Sequence, residues 1–357
     1  MNNLYTALTL SLVNRNRFVI TTNDPKQLIP NFQSVILQQQ CNIDHGDLTV
    51  IDLNDYVDKT ITDLVLDISS YYDGVYTFKL VVLWKNLQTV PASFQRQLYE
   101  LILKIDNFDT NGSKGNTYSQ VDDLRIERPD LFIIIPVLDV ALYSTKIFQY
   151  LKERFSFLIN YNYTSLEDIM SEAKLIEKFP SEKPQPILSY IQYIQILRAN
   201  RPRIFMSLDI KRYIYSLVVF TRLHRLCSLA PKQTRMSTRS IDEIRDLSIA
   251  LTLWMNFQNP SKYFVTPDTV KIAMRRVGYW LVDWEYNTMF RYKSPDDATE
   301  MEKRLQISIL VGDWYGSDYS SVEKYIKLFH SKLSKSSPTG YTNKIIDDVL
   351  KQVRPPI

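Results

Sequence analysis

Glycine is scarce in this chain of 357 residues: there are eight in all, and none lies between Met1 and His45. That absence excludes a G-x-x-x-x-G-K-[ST] loop after the first strand, because the backbone N–H groups of such a loop must wrap a phosphate closely. The segment found there is "TTNDPKQLIPNF", in which Pro25 removes one more backbone donor. Cysteine is nearly missing as well. Cys41 and Cys227 stand far apart and read as reduced thiols of an intracellular protein. His45, His224 and His330 are scattered without the His/Cys spacing of a zinc site, and no G-x-S-x-G elbow is present. No metal and no cofactor is therefore expected. The longest apolar stretch, "LFIIIPVLDVAL", is too short for a bilayer and is broken by Pro136. The start, "MNNLYTALTLSLVNRNRFVI", lacks a basic n-region and a cleavage pattern and reads as a first strand rather than a signal peptide. The expectation is a protein of the nucleus or cytoplasm with no membrane partner. A marked excess of one charge is missing too. The 43 basic and 39 acidic residues leave +4, which by itself points to neither nucleic acid nor membrane.

What is present is an apolar content of 45%, enough for a sizeable core, in a length that favours two domains. The runs "RFVITT", "DLTVIDL", "KLVVLW" and "DLFIIIPVL" alternate with helical patterns, which predicts an α/β domain with a parallel sheet covered on both faces. "DNFDTNGSKGNTYSQVDD", Asp106 to Asp123, reads as a loop. Prolines and charges around Phe179 to Ile187 mark a linker. From Ile204 onward the pattern is helical. One helix is predicted with Asp209 as N-cap and an apolar face of Ile214, Leu217, Val218, Thr221 and Leu223. Ser237 to Ser240 open a second, and Thr266 followed by Pro267 opens a third. The divisions expected are an α/β domain over 1–165, a linker or insertion over 166–203, a helical domain over 204–330, and a C-terminal helix and tail over 331–357. In that tail Ile345, Ile346, Val349 and Leu350 form an apolar stripe, for the protein's own core or for a partner.

The stretch "LVVLWKNLQTVPASFQRQLYELI", Leu80 to Ile102, is a strand followed by a helix with Phe94, Leu98, Leu101 and Ile102 on one face. In nucleotide-hydrolysing α/β proteins such a strand ends in acidic residues that hold the metal shell and polarise water. Here it ends in Trp84 and Lys85, which do neither. Trp84 has two readings, a plug for a vacant pocket or a cap on the core. Lys85 reads as a solvated lysine, with phosphate binding as the alternative.

An α/β module followed by a small helical domain is similar to the AAA+ ATPases, and the second half resembles their MoxR and magnesium-chelatase branch. The residues that carry this are "VVFTR" (Val218 to Arg222), "STRSIDEIRDLSIAL" (Ser237 to Leu251) and "YFVTPDTVKIAMRRV" (Tyr263 to Val277). "NLQTVPASFQRQLYELI", with Asn86, Pro91 and Gln95, resembles the branch's helix after the Walker B strand, and Arg154 with Phe155 resembles its segment before the last core strand. The whole chain, including its terminal "NKIIDDVLKQVRPPI", resembles the fungal maintenance of telomere capping protein 2 family. That resemblance implies a degenerate AAA+ fold and a role in telomere capping. It also implies that Arg239 stands where a sensor arginine touches phosphate. Without a phosphate loop, the reading kept for Arg239 is a salt bridge to Asp242 or Glu243, and for Arg154 a packed ion pair.

One local bias remains. From Arg198 to Arg239 ten basic residues face a single acid, Asp209. Arg201, Arg203, Lys211, Arg212, Arg222 and Arg225 are the candidate surface for a phosphate backbone or for an acidic protein partner. On a helix Lys211, Arg222 and Arg225 approach one side, with Arg212 turned about 100° away. The function expected is therefore that of a pseudo-ATPase acting as a protein-interaction module. The alternative is a sequence-independent nucleic-acid binder, with an active ATPase of unusual phosphate loop ranked last.

Overall fold

The computed structural model describes residues 4–22, 24–72, 74–109, 117–121, 124–139, 147–161, 189–224, 227, 236–282 and 343–356. The chain forms two compact units, one of residues 1–203 and 253–260, the other of residues 204–252 and 261–357. The Phe179 to Ile187 stretch read as a linker lies outside the described residues.

The first unit begins with helix α1 (Leu4–Asn14), not with a strand, and strand β1 (Phe18–Thr22) follows it. The misreading has a physical cause. Nine of the eleven α1 residues are buried, Thr6, Thr9 and Ser11 among them, so the helix is covered almost all round and its sequence carries no helical apolar period to separate it from a buried strand. Next come α2 (Pro25–Asn31), β2 (Leu48–Asp52), α3 (Ile61–Asp67), and the hairpin of β3 (Ser69–Tyr72) and β4 (Val75–Phe78). Gly74 takes φ 82° in that hairpin turn, a conformation that its missing Cβ permits. The chain continues through β5 (Val81–Lys85), α4 (Ala92–Asp106), β6 (Phe108–Asp109), β7 (Thr117–Val121), β8 (Leu124–Arg128) and β9 (Ile133–Asp139). Helix α5 (Gln149–Lys152), β10 (Phe157–Asn160) and α6 (Tyr190–Asn200) complete it.

Five of these strands form a parallel sheet in the order β10-β1-β9-β5-β2. All five residues of β1 are buried, and so are the first six of β9, as expected of a sheet covered on both faces. The second sheet, β3-β4-β8-β7-β6, was not foreseen. The Asp106 to Asp123 segment expected to be a loop supplies β6 and β7 to it. Its strands lack apolar alternation because their polar groups find partners inside: the buried Ser119 hydroxyl donates to the carbonyl of Ile105 at 2.9 Å.

Ion pairs join these elements. Arg17 donates both guanidinium nitrogens to Asp106, at 2.6 and 3.0 Å, and Arg128 lies 3.8 Å from the same carboxylate. Burial pulls the Asp106 carboxyl upward, but the charge and hydrogen bonds of Arg17, with the charge of Arg128, hold it below the usual range. Burial and the neighbouring Arg17 push the Arg128 guanidinium down to about 10. Arg198 of α6 donates to the carbonyl of Leu12 in the last turn of α1, which also accepts from the Arg15 N–H, and pairs with Asp130.

The second unit is helical: α7 (Leu208–Leu223), α8 (Arg239–Met255, in this unit through Thr252), α9 (Pro267–Leu281) and α10 (Lys344–Gln352). The α7 cap is Ser207, whose side chain accepts from the Ile210 N–H, and not Asp209, which lies in the first turn and pairs with Arg212. Of the expected α7 face, Ile214, Leu217, Val218 and Thr221 are buried, whereas Leu223 is 70% exposed. Thr266 caps α9 with Pro267 at its first position, as expected. The stripe of Ile345, Ile346, Val349 and Leu350 is buried in this same unit, with Ile346 seated against Gly278.

Candidate functional site

Followed along the chain, the parallel sheet runs from β1 to β2 at its far edge, returns through β5 and β9, and then places β10 on the other side of β1. The order reverses beside β1. In open α/β sheets ligands bind outside the carboxyl ends of the strands at such a reversal, so the turn after Thr22 is the position to inspect.

Two residues separate β1 from α2, and the second, Asp24, caps that helix. Its carboxylate accepts from the N–H groups of Lys26 at 3.1 Å and Gln27 at 3.2 Å, and its own N–H donates to the Thr22 hydroxyl at 3.3 Å. Pro25 at the first helical position has no N–H. Among the described residues, the N–H groups of Asp24, Lys26 and Gln27 are thus taken by the Thr22 hydroxyl and the Asp24 carboxylate, and Pro25 has none. An incoming phosphate would also meet the negative charge of Asp24. These residues do not fit a nucleotide phosphate.

One strand away from β9, Trp84 stands in register with Ile51 of β2 and Pro136 of β9. It is fully buried and meets Phe155 edge to face at 6.4 Å. Lys85 is half-buried and stands in register with Asp52 and Val137. The acid at these strand ends that sequence reasoning missed is Asp52, the last residue of β2. Asn86, in the left-handed region at φ 61°, donates its amide to both Asp52 oxygens at 2.8 Å, and the N–H of Asn54 reaches one of them at 3.1 Å. Asp139 ends β9 in register with Thr22. Asp52 lies within the strand run "DLTVIDL" and Asp139 directly follows the run "DLFIIIPVL", which is the signal that could have found them.

Gln95 is buried and structural. Its amide donates to the carbonyls of Val90 at 3.0 Å and Leu87 at 3.4 Å, and its oxygen accepts from Phe148 N–H at 2.6 Å. Arg154, expected in an ion pair, lies with its guanidinium 5.2 Å from the Tyr99 ring centre and 3.5 Å from that hydroxyl. Arg239 belongs to the second unit, where it opens α8 and bonds Glu243 at 3.1 Å, one of the two acids foreseen. Among the described residues no group of three or more His, Cys, Asp or Glu is placed to hold a metal ion. No helix among them is long and apolar enough to cross a membrane.

The six basic candidates fall in both units. Arg201, whose Nε donates to the Asn14 side chain at 3.1 Å, and the exposed Arg203 belong to the first. Lys211, Arg212 and Arg222 are exposed on α7 in the second, with Arg212 3.4 Å from Asp209. Arg225 lies outside the described residues.

No family model matches the chain, and no curated protein matches it. Among solved structures it is similar to the crystal structure of a candidate ATPase from Cytophaga hutchinsonii. The TM-score is 0.52 at 14% identity, over 85% of this chain and 87% of that one. At that identity the likeness carries the fold and no reaction. The chain is an α/β protein, a five-stranded parallel sheet with helices followed by a helical unit, and shares its fold with that candidate ATPase.

Proposed function

We propose that this protein is a non-hydrolysing AAA+-like interaction module with a role in telomere capping. The observation that carries the first part is the Asp24 cap followed by Pro25, which closes the strand-reversal position to phosphate from within. Trp84 and Lys85, where a hydrolase needs an acidic pair, support it. The telomere role rests on the resemblance of the whole chain to the fungal telomere-capping family. Its partners are proteins, and the two-unit architecture is retained for binding them.

Incubating the purified full chain with ATP and Mg²⁺ tests the first part. No turnover above a heat-denatured blank is expected. Magnesium-dependent turnover that persists through purification and disappears in Lys85→Ala or Arg239→Ala overturns it. Recovering the native complex and identifying its members tests the second, and a chain that carries no associated protein removes the interaction reading. The competing reading, direct nucleic-acid binding, draws on the exposed Lys211 and Arg222, which lie about 20° apart around α7. Affinity for duplex DNA that falls steeply with salt would favour it.

A further inference from the structure

The second unit carries an open groove of about 510 Å³ that no part of the sequence reading had singled out. One wall is α8, which contributes Ile241, Arg245 and Ile249 at successive i, i+4 positions, a line about 12 Å long. The other wall is α7, with Lys211 and Ile214, and Ile204 and Met206 close one end. Ile241 and Ile249 stay half-exposed, so their apolar surface is offered to whatever enters.

Charge decides what fits. The lining holds two cations and no carboxylate. Arg245 is drawn along its own helix to Asp242 at 2.8 Å and Asp246 at 3.3 Å. Lys211 is exposed on the rim and forms no ion pair among the described residues. Beyond the rim, the outer side of α7 shows Leu208, Tyr215 and Leu223, each 60% exposed or more, with Arg212 and Arg222 between them. Across α7 three cations stand against the single acid Asp209.

We infer that this groove seats a short amphipathic helix of a protein partner, with aliphatic side chains down toward Ile241 and Ile249 and carboxylates toward Lys211. The inference rests on the interaction reading above and gives it a surface and a partner chemistry. Aliphatic anchors two turns apart, about 11 Å, match the length of the α8 line. An acidic rather than basic helix is required because Lys211 would otherwise face a like charge.

The test uses the full chain and a fluorescein-labelled helical peptide with leucines at i, i+3, i+4 and i+7 and glutamates elsewhere. Its counterpart carries lysine in place of every glutamate. The acidic peptide is expected to bind with a dissociation constant on the order of 10 µM. Lys211→Glu and Ile249→Glu should each weaken it about tenfold, while Lys26→Glu, an exposed charge in the first unit, leaves it unchanged. Circular dichroism and Tm confirm that each variant is folded. The proposal is overturned if the acidic peptide does not bind, if the lysine peptide binds as well, or if neither groove variant matters. Displacement of the peptide by duplex DNA would also overturn it and assign the surface to nucleic acid. If a native partner complex forms and is indifferent to Lys211→Glu, the interaction reading stands and this groove is removed from it.

Discussion

The turn after β1 and the groove between α7 and α8 treat their polar groups in opposite ways. In the turn, where an α/β sheet of this order presents ligand donors, the Asp24 carboxylate takes the N–H groups of Lys26 and Gln27, and Pro25 has none to offer. In the groove, Arg245 is paired along its own helix, but Lys211 forms no ion pair among the described residues and Ile241 and Ile249 stay half-exposed. A fold therefore does not reveal where a protein binds. The turn shows backbone donors capped by a carboxylate and one donor lost to proline, with every surrounding strand retained. The groove shows that two helices spaced by their own core can leave an opening that no motif announces.

The comparison breaks first at Trp84. Its side chain is fully buried, so Trp84→Ala should cost about 4 kcal/mol in urea unfolding. A cost under about 1 kcal/mol, together with new nucleotide affinity, would instead make the indole a plug over a usable pocket.

The next effect is electrostatic. Arg17→Ala leaves the part-buried Asp106 to the weaker charges of Arg128 and Arg154 and should destabilise by about 3 kcal/mol. Asp106 is held below the usual carboxylate range, so the pair's contribution is complete above the unfolded value of about 3.9. It is lost as pH falls through the lowered folded value. Acid titrations of unfolding free energy should show that loss in the native protein and a flatter acid limb in Arg17→Ala.

Asp24→Ala sharpens the comparison at the closed turn. Loss of the cap should lower stability by about 1 kcal/mol and still create no ATP-analogue binding, because Pro25 remains without an N–H. Binding gained by this change alone would mean that Asp24 was a gate rather than one of several obstacles. The smallest stability effect belongs to the open region. Lys211→Glu, at an exposed residue with no ion pair among the described residues, should shift unfolding by less than about 0.5 kcal/mol, so any change in peptide binding reads the surface and not the fold.

Much of the architecture was legible before any coordinates, for identifiable reasons. The strands β5 and β9 are largely buried apolar runs, the edge strand β2 buries Leu48 and Ile51, and α9 announces itself through Thr266 and Pro267. Helix α1 was not legible because it is covered almost all round and shows no helical apolar period, and β6 and β7 were not because their residues are mostly polar, although their partners lie close by in the sequence. The salt bridge of Arg239 followed from i, i+4 spacing, whereas the cation–π contact of Arg154 with Tyr99 joins residues 55 apart in the chain.

The local chemistry of the candidate site was written in the sequence itself. An absent glycine run, a proline after Asp24, and Trp84 and Lys85 at a strand end depend only on which residue follows which. Tertiary structure alone decided which groups are satisfied. It spread the basic stretch over two units, tied Arg198 and Arg201 to α1, and buried the C-terminal stripe against Gly278. It also left Lys211 beside an apolar groove. The reason is physical: a charge or an apolar face acquires its role from what the fold brings within a few ångströms, and those neighbours lie far away along the chain.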